Sequence, residues 1–255
     1  MATQAQTAKT LEALKLYKRK YIKKQFSDVD ESATRIMINS FLTEVLGYQE
    51  LDEIKTEYNI RGEYADYVVQ LKRKKQFVIE VKSVQLDLNE RHLRQSLSYA
   101  ANEGIDWIIL TNGRMFQFYR VMFGKPISVE QLVSIDFIDA TPKNMKDFAD
   151  ILVLFTKKAV VRDEHELFWQ RAIALSPTNI SKLLYSEEVV KLMRRELKKS
   201  SNINFEPEAI KDALKACIGK SVDTESMRFK TTKSTTQEKR TSQPTAVAST
   251  VEPTV

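Results

Sequence analysis

The 255-residue chain carries 40 Lys+Arg against 34 Asp+Glu, is 42% hydrophobic and contains 6 Gly, 6 Pro and 1 Cys. So little Gly and Pro excludes collagen-like and wholly disordered chains, and a single Cys excludes an internal disulfide framework; the length suffices for one ample core with a helical appendage. The net charge of +6 is local: residues 1–26 hold Lys9, Lys15, Lys18, Arg19, Lys20, Lys23 and Lys24 against Glu12 alone, and the other 229 residues balance at 33 against 33. A localised cationic arm points to a polyanionic partner more sharply than a diffuse basic balance does.

The N-terminus lacks the apolar core and cleavage site of a secretory signal, and no run of about 18 apolar residues occurs. A cytoplasmic protein away from membranes is therefore expected. Lys rather than Arg dominates the arm, which favours a helix over an organelle transit peptide.

Leu11, Leu14, Tyr17 or Lys18, Tyr21 and Phe26 form one stripe with lysines on its flanks, so Leu11 to Phe26 reads as a basic amphipathic helix. Ser27 or Asp30 can cap a second helix with Ile36, Phe41, Leu42, Val45 and Leu46 on its apolar side, stopped by Gly47. Strands are expected over Ile54 to Ile60, Tyr64 to Leu71 and Phe77 to Val84, with Lys72-Arg73-Lys74-Lys75 as a charged hairpin tip. The helical period returns from Asn89 to Glu103, with Leu93, Leu97 and Ala100 inward and Gly104 as a stop. Trp107 to Thr111 reads as a buried strand, Asn112-Gly113 as a hairpin turn, Met115 to Val121 as the returning strand, and Ile127 to Val133 as one more. Helices are expected over Asn144 to Lys158, Asp163 to Ala174, Ser181 to Lys199 and Pro207 to Ile218. Residues 231–255 hold 11 Ser/Thr in 25 residues and no aromatic, a composition that lacks a core-forming pattern. The order implies an α/β protein with a mixed central sheet. Its segments are a basic helix (1–26), a core (27–140), a helical region (141–220) and a disordered tail (221–255).

Chemistry concentrates in Tyr64-Ala65-Asp66-Tyr67 and Phe77-Val78-Ile79-Glu80-Val81-Lys82. Strand alternation puts Val78, Glu80 and Lys82 on one face, and Asp66 can reach the same edge from the preceding strand. Two carboxylates converging with a lysine suit a hard divalent cation such as Mg²⁺, with the lysine orienting water and offsetting charge on phosphorus oxygens. A plain strand-edge ion pair satisfies the same three residues. Gln95 and Tyr99, spaced i, i+4, share a helix face, as do Glu31 and Arg35.

Glu31-Ser-Ala-Thr34-Arg35, Val45-Leu46-Gly47-Tyr48, Asp66, Glu80-Val81-Lys82, Gln95-Ser-Leu-Ser-Tyr99 and Ile109-Leu-Thr-Asn112-Gly113-Arg114 together, over residues 28–122, resemble the N-terminal nuclease domain of type I restriction enzyme R subunits, of the PD-(D/E)XK nuclease superfamily. The helix, three strands, helix, strand order agrees with that family's αβββαβ core. The resemblance implies a Mg²⁺-dependent DNA endonuclease, with Mn²⁺ able to substitute. Asp66 and Glu80 would bind the metal with the Val81 carbonyl, Lys82 would position water, Gln95 and Tyr99 would lie beside metal and phosphate, and Glu31 would complete the acidic cluster, with Glu44 a less favoured candidate. Ala65 stands where a Pro is frequent. The family's motor is not expected: Gly219-Lys220-Ser221 lacks the upstream Gly and preceding strand of a phosphate-binding loop, so no ATP site is assigned.

Lys18, Arg19, Lys20, Lys23, Lys24 and the tip Lys72, Arg73, Lys74, Lys75 are candidate phosphate contacts. His92 and His165 are too few for zinc, and Cys217 reads as a small buried hydrophobe. Phe168 and Trp169 read as core. Expected partners are DNA, a motor or specificity subunit, or a second copy of the chain; the alternative function is a DNA-binding or assembly module that keeps the nuclease fold.

Overall fold

In the computed structural model, which describes residues 3–60 and 63–221, the chain enters α1 (Gln4–Tyr21) through a capping box. The Gln6 N–H donates to Thr3 Oγ1 (3.3 Å), and the Thr3 N–H donates to Gln6 Oε1 (2.7 Å). This helix begins earlier than Leu11, and Phe26 falls in a separate 3₁₀ turn (Lys24–Phe26). Its buried positions, Thr10, Leu14 and Tyr17, have the helical spacing of a docked face. Tyr17 packs among Phe41, Phe116 and Phe137 at centroid distances of 5.3, 5.9 and 5.7 Å, and its hydroxyl donates to the Gly113 carbonyl (2.8 Å). Burying Leu14 and Tyr17 stabilises the fold by about 1.5–3 kcal/mol per side chain. The cationic arm is thus one side of a core helix.

Asp30 caps α2 (Glu31–Ser40) by accepting from the Ala33 N–H at 2.8 Å. Met37 and Ile38 face inward, whereas Ile36, expected on the apolar side, is exposed. A π-turn over Phe41–Val45 shifts the helical phase, and Gly47, at φ +80°, leads into the short α3 (Glu50–Glu53).

The strands are β1 (Ile54–Ile60), β2 (Glu63–Leu71), β3 (Lys74–Val81), β4 (Trp107–Thr111), β5 (Met115–Met122) and β6 (Ser128–Asp136). They form one sheet in sequential order, antiparallel except for the parallel β3–β4 pair. That pair is joined by α4 (Glu90–Glu103), capped by Asn89 and ended by Gly104 at φ +65°. The β2–β3 turn contains only Lys72 and Arg73, both at positive φ (49° and 67°), the backbone of a tight two-residue hairpin. Lys74 and Lys75, expected in the loop, are strand residues.

Beyond the sheet come α5 (Pro142–Leu152), a 3₁₀ turn (Val153–Phe155), α6 (Lys157–Val160), α7 (Glu164–Ala174), α8 (Pro177–Leu184), α9 (Glu187–Ser201) and α10 (Pro207–Ser221). The single helix expected over Ser181 to Lys199 is two, because the Ser186 side chain accepts from the Val189 N–H and starts α9 afresh. Gly219-Lys220-Ser221 ends a helix. Cys217 is exposed, not buried, at the rim of a groove that α10 forms with α9. The tail expected from 221 lies outside the described residues after Ser221.

Helices cover both sheet faces. On one, Leu14, Phe41, Phe77, Trp107, Phe118, Phe148 and Phe155 belong to a large cluster shared with α1, α2 and α5. On the other, Leu93, Tyr99 and Ala100 of α4 pack on Val68, Val78, Ile108 and Leu110. One core therefore joins the expected segments 1–26 and 27–140 to the start of 141–220. No helix among the described residues is long and apolar enough to cross a membrane.

Candidate active site

The strand ladder between β2 and β3 stops at the Tyr67–Ile79 pair. Past that point the Asp66 carboxylate supplies the missing acceptor, taking the Val81 N–H on Oδ2 at 2.7 Å. On its other side β3 stays paired, Val81 with Thr111, and the Lys82 N–H donates to the Thr111 carbonyl at 2.9 Å. Asp66, Glu80 and Lys82 thereby meet at the C-terminal end of the parallel pair, where open α/β sheets place ligands. Asn112 stiffens this end, its side-chain amide donating to the Val84 (3.3 Å) and Leu86 (2.9 Å) carbonyls.

Lys82 Nζ lies 2.5 Å from Glu80 Oε1 and 4.0 Å from Glu31. Arg35 is ion-paired with Asp66, and reaches Glu31 at 3.3 Å and Glu57 at 3.1 Å. The Tyr67 hydroxyl holds α2 in place by donating to the Arg35 carbonyl (2.9 Å). Glu80 is 2% exposed. Burial pushes its carboxyl up to about 7; the Lys82 hydrogen bond works against this, and the charges of Asp66 and Glu31 add to it.

The structure thus brings Glu31, Asp66, Glu80 and Lys82 together. Gln95 is exposed on α4, and Tyr99 is buried in the smaller apolar cluster, one turn before Glu103 and so toward the Lys75 end of the sheet. Glu44 pairs with Lys20 at 2.8 Å instead. Two participants escaped the sequence reading. Arg35, there an intrahelical partner of Glu31, is also the partner of Asp66, a contact made across tertiary structure. His92 interacts electrostatically with Lys82 and Glu31, and burial together with the Lys82 charge holds its imidazole below the usual value. Its position one turn before Gln95 and Ser96 on the same helix was the available signal.

Residues 30–136, from the cap of α2 to the end of β6, match the family model of the type I restriction enzyme R protein N terminus. That segment is similar to the R protein N terminus. Comparisons with curated proteins and with solved structures return no match. The matched range holds every residue of the cluster, whereas α1 and the helices from α5 onward lie outside it.

The opposite end of the sheet carries a second buried ionic cluster. Glu166 of α7 accepts from Trp107 Nε1 (2.6 Å) and Arg120 (2.5 Å); Arg120 also reaches Asp106 at 3.4 Å and stacks on the Trp107 ring. Burial works to raise the Glu166 carboxyl, but the bonds from Arg120 and Trp107 hold it below its ordinary value. Lys74 acts electrostatically on Asp106 and His165 here, and Lys75 pairs with Glu103. The hairpin tip is therefore not beside Glu80. Lys74 is six residue steps along β3 from Glu80, roughly 20 Å.

Proposed function

We propose that this protein is a Mg²⁺-dependent DNA endonuclease of the restriction-subunit type, hydrolysing phosphodiester bonds in the cytoplasm. The supporting observation is Glu80: a buried carboxyl whose proton affinity is raised, facing Asp66 and Glu31 in a segment similar to the R protein N terminus. No group of three or more His, Cys, Asp and Glu among the described residues forms a ready cation cage. Two carboxylates on neighbouring strands nevertheless fit Mg²⁺, which keeps most of its waters and commonly takes one or two carboxylates beside substrate phosphate. Asp66, Glu80 and the Val81 carbonyl would hold it, and Mn²⁺ accepts the same oxygen ligands. When bound, the ion supplies Lewis acidity to the phosphate and to water.

The remaining work falls to side chains. Lys82, packed against Glu80, aims an ammonium at the attacking water and offsets charge growing on the phosphoryl oxygens. Glu31 balances Lys82 and Arg35 through the contacts described. Gln95 contacts substrate from α4, and Tyr99 acts as a positioning residue that fixes α4 to the sheet. DNA is the substrate, and a motor or specificity subunit of a restriction complex is the expected partner.

Supercoiled plasmid nicking tests this reading. Mg²⁺ should support nicking and EDTA abolish it, and Lys82→Ala or Asp66→Asn should each cost at least about a hundredfold. Retention of activity by both variants would overturn the assignment. A second reading, a DNA-binding or assembly module that keeps the fold, draws on the exposed Leu175, Ile180, Leu183, Leu192 and Leu197 of the C-terminal helices. Salt-sensitive DNA binding without cleavage, with co-purification of a motor subunit, would favour it.

A further inference from the structure

A cleft of about 280 Å³ lies where the end of α1 and its following turn meet α2, the chain just past β3, and the β4–β5 turn. Lys18, Lys23, Lys24 and Arg114 line it, and no carboxylate does. Arg114 is offset by Asp136 (3.3 Å) and Asp87 (3.6 Å), and Lys18 donates to the Ala140 carbonyl (3.2 Å). Lys23 and Lys24 are exposed and have no acidic partner among the described residues. Half-buried Tyr21 and Phe26 also line it, and the Tyr21 ring is already covered by Lys20 at 5.0 Å, which leaves Phe26 as the aromatic surface beside these cations.

The cleft adjoins the Glu80 site through shared elements. Val84 on its wall is two residues past Lys82, roughly 6–7 Å of extended chain, and Met37 is two residues past Arg35 on α2. The spacing is on the order of one nucleotide step along a strand. Cations without partners beside aromatic rings are the chemistry that binds single strands, phosphate on the charge and base on the ring. The volume is at the small end of ligand pockets and leaves no room for a base pair.

We infer that this cleft takes one unpaired nucleotide of the strand being cut, its phosphate on Lys23 and Lys24 and its base against Phe26, so that the favoured substrate carries a single-stranded or splayed segment next to the scissile bond. The inference rests on the endonuclease reading for the identity of the strand. Its test does not, because binding is measured without catalysis.

The experiment is fluorescence anisotropy of the full chain in EDTA with a labelled single-stranded 12-mer, a blunt duplex of the same sequence, and unlabelled mononucleotide as competitor. The 12-mer should bind about tenfold more tightly than the duplex, and mononucleotide should compete only weakly. Lys23→Ala/Lys24→Ala should lose about tenfold in 12-mer affinity with a salt slope shallower by about 1, and Phe26→Ala should lose affinity with the slope unchanged. Equal affinity for the duplex, mononucleotide binding as tight as the 12-mer, or an unaffected double-lysine variant would each overturn the inference. Binding as expected with no Mg²⁺-dependent cleavage of any DNA would instead sink the endonuclease reading and leave the cleft standing.

Discussion

Glu80 and Glu166 are both carboxylates withdrawn from water at opposite ends of one sheet, and their surroundings drive them in opposite directions. Glu166 faces an indole N–H and a guanidinium that is itself stacked on Trp107, so its charge is matched by two donors. Glu80 receives one short contact from Lys82 and lies in the fields of two other acids. At Glu166 the charge is matched by donors that hold the fold; at Glu80 it is not, which is the condition the proposed cation site requires. The count of charges differs in the same sense, since Glu31, Glu57, Asp66 and Glu80 have only Arg35 and Lys82 as ion-pair partners.

The comparison can be broken most directly by making the same change at both ends. Glu80→Gln should abolish Mg²⁺-dependent nicking, a loss of at least about a hundredfold, while the protein stays folded. Glu166→Gln should leave nicking within about twofold but lower stability by about 2–3 kcal/mol, since it leaves Arg120 buried with less of its charge met. Thermal denaturation and plasmid nicking on both variants check the pair, and a Glu166→Gln protein that unfolds no more easily than the parent would show that its cluster carries no structural load.

A pH series sharpens the contrast. In metal-free protein, between the ordinary carboxylate value of 4.5 and the raised value of about 7, folded Glu80 keeps a proton that the unfolded chain has released. The folded state then binds more protons, so stability declines as pH rises from 4.5 through 7, by about 3 kcal/mol from this group. Urea denaturation in EDTA should show that decline, Glu80→Gln should remove it, and a saturating divalent cation should offset it. A decline that persists in Glu80→Gln would assign it to another group.

The smallest effect is expected at the hairpin tip. Lys72→Ala/Arg73→Ala should change DNA affinity by less than about twofold, because this turn lies at the Glu166 end, roughly 20 Å from Glu80. A tenfold loss would place bound DNA across the whole sheet.

Much of the sheet was legible in the sequence because local rules decide it. Ile54–Ile60 matches its strand, Asn89 and Gly104 bracket α4 as cap and stop, and the run from Asp66 to Lys82 alternates as the pleat requires. What local pattern could not carry is long-range. Tyr17 bonds to a carbonyl 96 residues away, so a stripe of leucines and lysines reads as a free arm until the sheet is present to receive it. Arg35 has a ready partner at i−4, which conceals its second one on β2. The tip lysines looked close to the site because Lys72 to Lys75 are close in sequence to both Asp66 and Glu80; an antiparallel hairpin sends its turn to the far end of the strands that carry those acids.

The parallel pairing of β3 with β4 has a consequence in time. Glu80 and Lys82 sit on one strand, and the Thr111 carbonyl that fixes the Lys82 backbone arrives only after α4 has crossed over and closed a long loop. The β1–β2–β3 meander can form from neighbouring residues, but Glu80 becomes buried only when the crossover is complete. A chain emerging from the ribosome therefore presents these acids as ordinary solvated carboxylates until residues up to Thr111 have paired beside β3.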